Sequence, residues 1–147
     1  MTPISIIVRK NLTLKLHGFS GIAAGQDWAA TGKQLMDRMW KEVRGLRLPN
    51  KGLNIWVYEP DNCLFTGVEL TSAPPENSAL EEKMIILTRY ARFAHVGPYD
   101  TIKASHTIAR QEMTRIGIQS ALPYIEIYGH HQDDPALQET ELIWSIK

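Results

Sequence analysis

Glu126 is the residue of this chain whose surroundings most need a chemical explanation. It stands in Pro123-Tyr-Ile-Glu-Ile-Tyr128, where apolar and polar residues alternate. The flanking Tyr124, Ile125, Ile127 and Tyr128 are strong strand formers. In a strand, Tyr124, Glu126 and Tyr128 share one face while Ile125 and Ile127 share the other. A carboxylate between two aromatic rings is a poor core residue, because burial without a partner costs several kcal/mol or drives it to the neutral form. Either this face is a solvated sheet surface, or it lines a cavity that takes a cation.

The other reactive side chains form no recognisable constellation. His130 and His131 sit in a polar turn beside Asp133 and Asp134, where adjacent side chains seldom converge on one metal. His95 and His106 could face each other near a helix, but nothing supplies a third ligand. The expectation is no metal and no cofactor, haem included. Ser105-His106 has the context of no known triad. Gly18, Gly21 and Gly25 lack the spacing and the preceding parallel strand of a phosphate loop. Cys63 is the single cysteine, which excludes an intramolecular disulfide and a cysteine metal cluster.

At 147 residues and 44% hydrophobic composition, one domain with a sizeable core is expected. Lys+Arg and Asp+Glu both number 16, so the formal charge is zero. That argues against direct nucleic-acid binding or an anionic membrane surface, both of which favour a basic excess. The apolar run Ile4, Ile6, Ile7, Val8 is too short for a signal segment and carries Arg9 and Lys10 on the wrong side. No stretch approaches a membrane span in length. A reducing, cytoplasmic setting fits.

Extended segments are expected at Ile4–Val8 and Leu12–Phe19, with Leu12, Leu14 and Leu16 alternating against Thr13, Lys15 and His17. Gly18, Gly21 and Gly25 then read as a flexible approach to a helix. Asp27 is its candidate N-cap, Trp28, Leu35, Met39 and Val43 its stripe, and Gly45 its C-cap. Strands follow at Leu53–Tyr58 and Leu64–Leu70, and Thr71–Ser78, with Pro74 and Pro75, reads as a linker. The order then repeats. Met84–His95 is a strand, and Gly97-Pro98 opens a helix with the stripe Tyr99, Ile102, His106, Ala109, Met113 and Ile116, closed by Gly117. Tyr124–Tyr128 and Glu141–Ile146 are the last strands.

Overlaying Asn54–Tyr58 on Tyr124–Tyr128 gives an offset of about 70 residues by sequence position, and Gly25 on Gly97 one of about 72. The expected architecture is α+β: two β-α-β-β repeats, about 1–72 and 82–147, related by a pseudo-twofold axis, with an antiparallel curved sheet and two main helices. The seam between such halves is a natural cavity. Trp56 becomes the counterpart of Glu126 and Tyr58 that of Tyr128. One half thus offers an indole where the other offers a carboxylate, and an aromatic wall facing a negative charge suits an organic cation.

Tyr90–Tyr99, reading YARFAHVGPY, resembles the strand-into-helix motif of the GyrI-like, or AraC-type effector-binding, superfamily. Pro123–Tyr128 is similar to its P-x-x-E-x-Y strand, and Gln138–Ile146 to its closing strand, with Ser145 where relatives often carry proline. Residues 1–72 match only as a generic first half. The resemblance implies two β-α-β-β repeats around a hydrophobic pocket that takes lipophilic cations, with Glu126 as counter-charge and Tyr128 beside it. Relatives commonly join this module to a helix-turn-helix domain. Here the repeats use nearly the whole chain, so a stand-alone module is expected.

The expected ligand set is Glu126, Tyr128, Trp56, Tyr58, Phe93, Tyr99, Trp144 and Trp28. Trp144 alternates with Leu142 and Ile146 and reads equally as core; Tyr99 is a rim or a packing residue, and Trp28 a roof or core. Phe93 and Tyr90 lie on opposite faces of one strand, and Phe93 is preferred for the cavity. Trp40, Met36 and Met39 read as core. The leading functional reading is a binding module for bulky hydrophobic cations such as drugs, dyes and antiseptics. The resemblance also implies two alternatives. One is a hydrolase of electrophilic toxins in which Glu126 activates water and Tyr128, Tyr58 or Tyr99 donates a proton. The other is a protein-binding module like a gyrase inhibitor. Partners beyond the small molecule would be a regulator, or a second copy pairing through an exposed edge strand.

Overall fold

A computed structural model describes residues 6–147. Two long antiparallel strands, β1 (Ile7–Ile22) and β4 (Glu81–Val96), start the two halves. Helix α1 (Trp28–Gly45) and strands β2 (Asn54–Glu59) and β3 (Cys63–Val68) complete the first half. Helix α2 (Ile102–Arg115), β5 (Ser120–Tyr128) and β6 (Glu139–Ile146) complete the second. The β-α-β-β order therefore occurs twice.

The curved sheet closes on itself in the order β1-β3-β2-β5-β6-β4, with β4 returning to β1, and every pairing is antiparallel. The two halves meet along two seams, β1–β4 and β2–β5. At the second seam Trp56 lies directly opposite Glu126. The residues equated by the sequence offset thus face each other where the pseudo-twofold axis crosses the sheet. Closure leaves no free strand edge among the described residues, so the edge-strand route to a dimer is withdrawn.

Alternation decides what each strand buries. Leu14, Leu16, Ile55, Val57, Phe65, Ile85, Leu87, Ile125 and Ile143 point inward and form one cluster that fills the barrel. On the outside, Phe19, Leu35, Met39, Val43, Leu64 and Val68 bury the apolar stripe of α1. Ala91, Ile102, Ala109, Met113, Leu142 and Trp144 do the same for α2. The helices sit on opposite flanks, and the outer face of β2–β5 lies between them.

Several local expectations need correction. Ile4 lies outside the described residues, and the segments expected at Ile4–Val8 and Leu12–Phe19 are one continuous strand. Gly18 and Gly21 belong to that strand. Gly18 is required there because a Cβ would come within 1.8 Å of the Thr66 carbonyl oxygen. Asp27 does cap α1, accepting from the Ala30 amide at 3.2 Å, but the left-handed residue after the helix is Arg47 (φ 53°), not Gly45. Gly117, at φ 82°, does follow α2 in the conformation that favours glycine. Tyr99 and Ile116 fall outside α2 and are about half exposed, so they do not belong to its inner stripe. No helix among the described residues is long and apolar enough to cross a membrane.

Candidate functional site

A cleft of about 1180 Å³ lies over the β2–β5 seam, between the N-terminal parts of both helices. Its floor is the outward face of the two strands. Glu126 sits at the centre, only 6% exposed. One carboxylate oxygen accepts from the Tyr58 hydroxyl at 2.8 Å and from Tyr128 at 2.6 Å. The other accepts from Tyr124 at 2.7 Å. Two of these phenols come from positions i−2 and i+2 on β5, and the third crosses from β2, where Tyr58 pairs with Tyr124.

No lysine or arginine of the described chain forms an ion pair with this carboxylate. Three neutral donors stabilise a carboxylate without cancelling its charge. Burial, and then the neighbouring Glu126, push the Tyr58, Tyr124 and Tyr128 phenols far above their usual range, so each remains a protonated donor at neutral pH. The carboxylate is therefore held inside an aromatic shell, with no lysine or arginine among the described residues paired to it.

The rings around it are in mutual contact. Trp28, at the start of α1, stands edge-on to Tyr58 with centroids 5.3 Å apart. Trp56 meets Tyr128 at 5.6 Å and 78°, and Tyr99 meets the same ring at 5.6 Å and 84°. Tyr124 lies against Trp144 at 5.2 Å. Trp56 reaches this position because residue 32 of α1 is glycine. A Cβ there would stand 2.2 Å from the indole ring.

Of the residues expected from sequence, Glu126, Tyr128, Trp56, Tyr58, Tyr99, Trp144 and Trp28 all line the cleft. Phe93 does not line it. It packs beside the cluster beneath α2, while Tyr90 points into the barrel, so the two are on opposite faces as expected. Other lining residues were not in the expected set, among them Tyr124, Lys103, His106, Arg110 and Lys147. Tyr124 shares the Glu126 face by simple alternation and was within reach of that pattern. Lys103, His106 and Arg110 follow an i, i+3, i+7 spacing on α2, but a mixed polar stripe reads as a solvated helix face. His106 stacks edge-on against Tyr124 at 4.7 Å. Burial lowers its pKa more than Glu126 raises it, with Arg110 lowering it further, so the ring is neutral. His95 is absent from the lining. Its ring contacts Ser105 Oγ at 2.7 Å and Thr101 Oγ1 at 3.2 Å, which ties the end of β4 to the start of α2.

No protein-family model matches the chain, and no curated protein matches it by sequence. Solved structures do. The chain superposes on the C-terminal domain of EcmrR with a TM-score of 0.75 and 15% identity, covering 99% of both chains. Against EcmrR in its complex with DNA the TM-score is 0.69 at 14% identity, and the chain spans 57% of that longer chain. It also superposes on SAV2435 bound to tetraphenylphosphonium, at a TM-score of 0.61 and 17% identity, covering 99% of this chain and 94% of that one. A hydrolase from Listeria innocua follows the same path at a TM-score of 0.56 and 13% identity over 97% of this chain and 91% of its own. At such identities the likeness establishes the fold. It is the α+β architecture of two β-α-β-β repeats expected from the sequence.

Proposed function

We propose that the cleft is a binding site for bulky aromatic cations and that Glu126 fixes the positive pole of the guest. One observation carries this reading: a buried carboxylate, braced by three phenols and paired with no cation, faces a cleft walled by tryptophan and tyrosine. A flat cation entering it exchanges water for ring faces, each contact contributing about 0.5–2 kcal/mol. The same entry neutralises a desolvated charge. Together these are enough for roughly micromolar affinity, about −8 kcal/mol. The tetraphenylphosphonium carried by SAV2435 is a guest of this kind on the same fold. In this reading residues of both repeats, about 1–72 and 82–147, act as one effector-binding module.

The hydrolytic alternative is weaker on chemical grounds. All three nearest phenols already donate their single proton to Glu126, and burial makes them poor acids.

The test is a titration of the protein and its Glu126→Gln variant with tetraphenylphosphonium and with neutral triphenylphosphine oxide. The variant should bind the cation at least about ten-fold more weakly, the equivalent of 1.4 kcal/mol, while the neutral compound changes little. Equal losses for the two compounds would remove the charge-pairing role.

A further inference from the structure

We propose that the guest of this cleft is amphoteric: a bulky aromatic cation that also carries an anionic group, seated at opposite ends of the cavity. This rests on the reading of Glu126 as the counter-charge and adds a second recognition point to it.

The cleft is not uniformly acidic. Beside Glu126 and Asp27 it is lined by Lys103, Arg110 and Lys147. Asp27 is engaged as the N-cap of α1, whereas none of the three basic residues forms an ion pair among the described residues. A guest with only positive charge would meet one free carboxylate and three free cations, so part of the attraction at Glu126 would be lost to repulsion. A guest with both signs would use both.

Two of the three basic residues, Arg110 and Lys147, gather at one end of the cleft, while Lys103 precedes His106 on the Glu126 side. Helix α2 runs antiparallel to β5: Tyr99, just before it, meets Tyr128, and His106 meets Tyr124. Arg110 lies one turn beyond His106, on the side where β5 begins, and borders Ser120. Lys147 is held at the same end, because Ser120 pairs with Ile146 and the Lys147 amide donates to the Gln119 carbonyl at 3.0 Å. Glu126 lies on the opposite side of Tyr124. With rises of 1.5 Å per helical residue and 3.3 Å per strand residue, the basic end is roughly 12 Å from Glu126, less the reach of the long side chains. Between the two poles are the rings of Tyr124, His106 and Trp144, the last two 5.4 Å apart. The neutral His106 leaves this middle section without a charge. From Glu126 towards the start of β5 the order is acid, rings, then the pair Arg110 and Lys147, with Lys103 left on the acidic side.

The experiment uses two dyes that differ in one group: rhodamine B, which carries a cation and a free carboxylate at pH 7.5, and its ethyl ester, which is cationic only. Fluorescence titrations are run on the native protein, on Glu126→Gln and on the double variant Arg110→Gln/Lys147→Gln. Both basic side chains are exposed, so the fold should tolerate the change. The acid should bind about three- to ten-fold more tightly than the ester, as expected for one or two exposed charge pairs. That preference should vanish in the double variant and shrink with added salt. If the acid binds no better than the ester, or keeps its advantage without Arg110 and Lys147, the proposal is overturned. Should both dyes still depend on Glu126 in that case, the cation reading stands alone. If neither dye binds, both readings fall.

Discussion

The two halves of this molecule use one scaffold for two chemistries. At the β2–β5 seam the first half presents Trp56, the second half Glu126, directly opposite. Helix α1 contributes Trp28 and the absence of a side chain at Gly32; α2 contributes Lys103, His106 and Arg110. Beneath the helices, by contrast, the halves are alike, each burying a methionine, Met39 at 0% and Met113 at 1% exposure. Packing obeys the pseudo-symmetry because any pair of apolar residues of suitable volume fills the space under a helix. The cleft departs from it because one charge needs a complementary wall, and two copies of Glu126 facing each other would repel.

The comparison predicts a large, matched effect first. Met39→Ala and Met113→Ala should each destabilise the fold by about 2–5 kcal/mol, and by similar amounts, in urea unfolding. A difference of several kcal/mol between them would show that the halves are not equivalent even in their cores. Gly32→Ala should come next. The added methyl must displace the Trp56 ring, an overpacking cost of about 1–3 kcal/mol, offset by about 1 kcal/mol of helix propensity. The net loss of stability should be accompanied by weaker binding of tetraphenylphosphonium. A stabilised variant with unchanged binding would show that Trp56 is free to move aside.

The smallest effect concerns pH. Each half holds one histidine whose pKa is lowered, chiefly by burial: His17 on β1 and His106 on α2. The unfolded chain takes up these protons more readily than the folded one. Stability is therefore full above the ordinary histidine value of 6.5 and is lost as pH falls below it. Urea midpoints at pH 7.5 and 5.5 should show this loss, and His17→Gln and His106→Gln should each remove part of it. A pH-independent midpoint for the native protein would exclude the effect in both halves.

Much of the site was legible as periodicity. The alternation at Tyr124–Tyr128 separated the barrel-facing isoleucines from the Tyr/Glu face, and the 70-residue offset put Trp56 and Tyr58 near that face before any pairing was known. Tyr124 could have been included on the same grounds. Phe93 was expected in the cleft and does not line it: it lies on the outer face of its strand, as that expectation required, but a strand face is longer than the cavity it borders. Lys103 and Arg110 were hidden, since a charged helix face looks the same whether it meets solvent or the rim of a cleft.

By itself the sequence determined which side of each strand is apolar, that there are two main helices with Asp27 capping the first and Gly117 following the second, and that the chain repeats. Those are consequences of local geometry, with periods of two and 3.6 residues and caps at fixed positions. Closure of the sheet was decided only in three dimensions, because the seams β1–β4 and β2–β5 join segments about 70 residues apart by their register. The state of Glu126 was decided there too. One of its phenols arrives across the second seam, and the absence of a lysine or arginine beside it is a fact about space, not about neighbours in the chain.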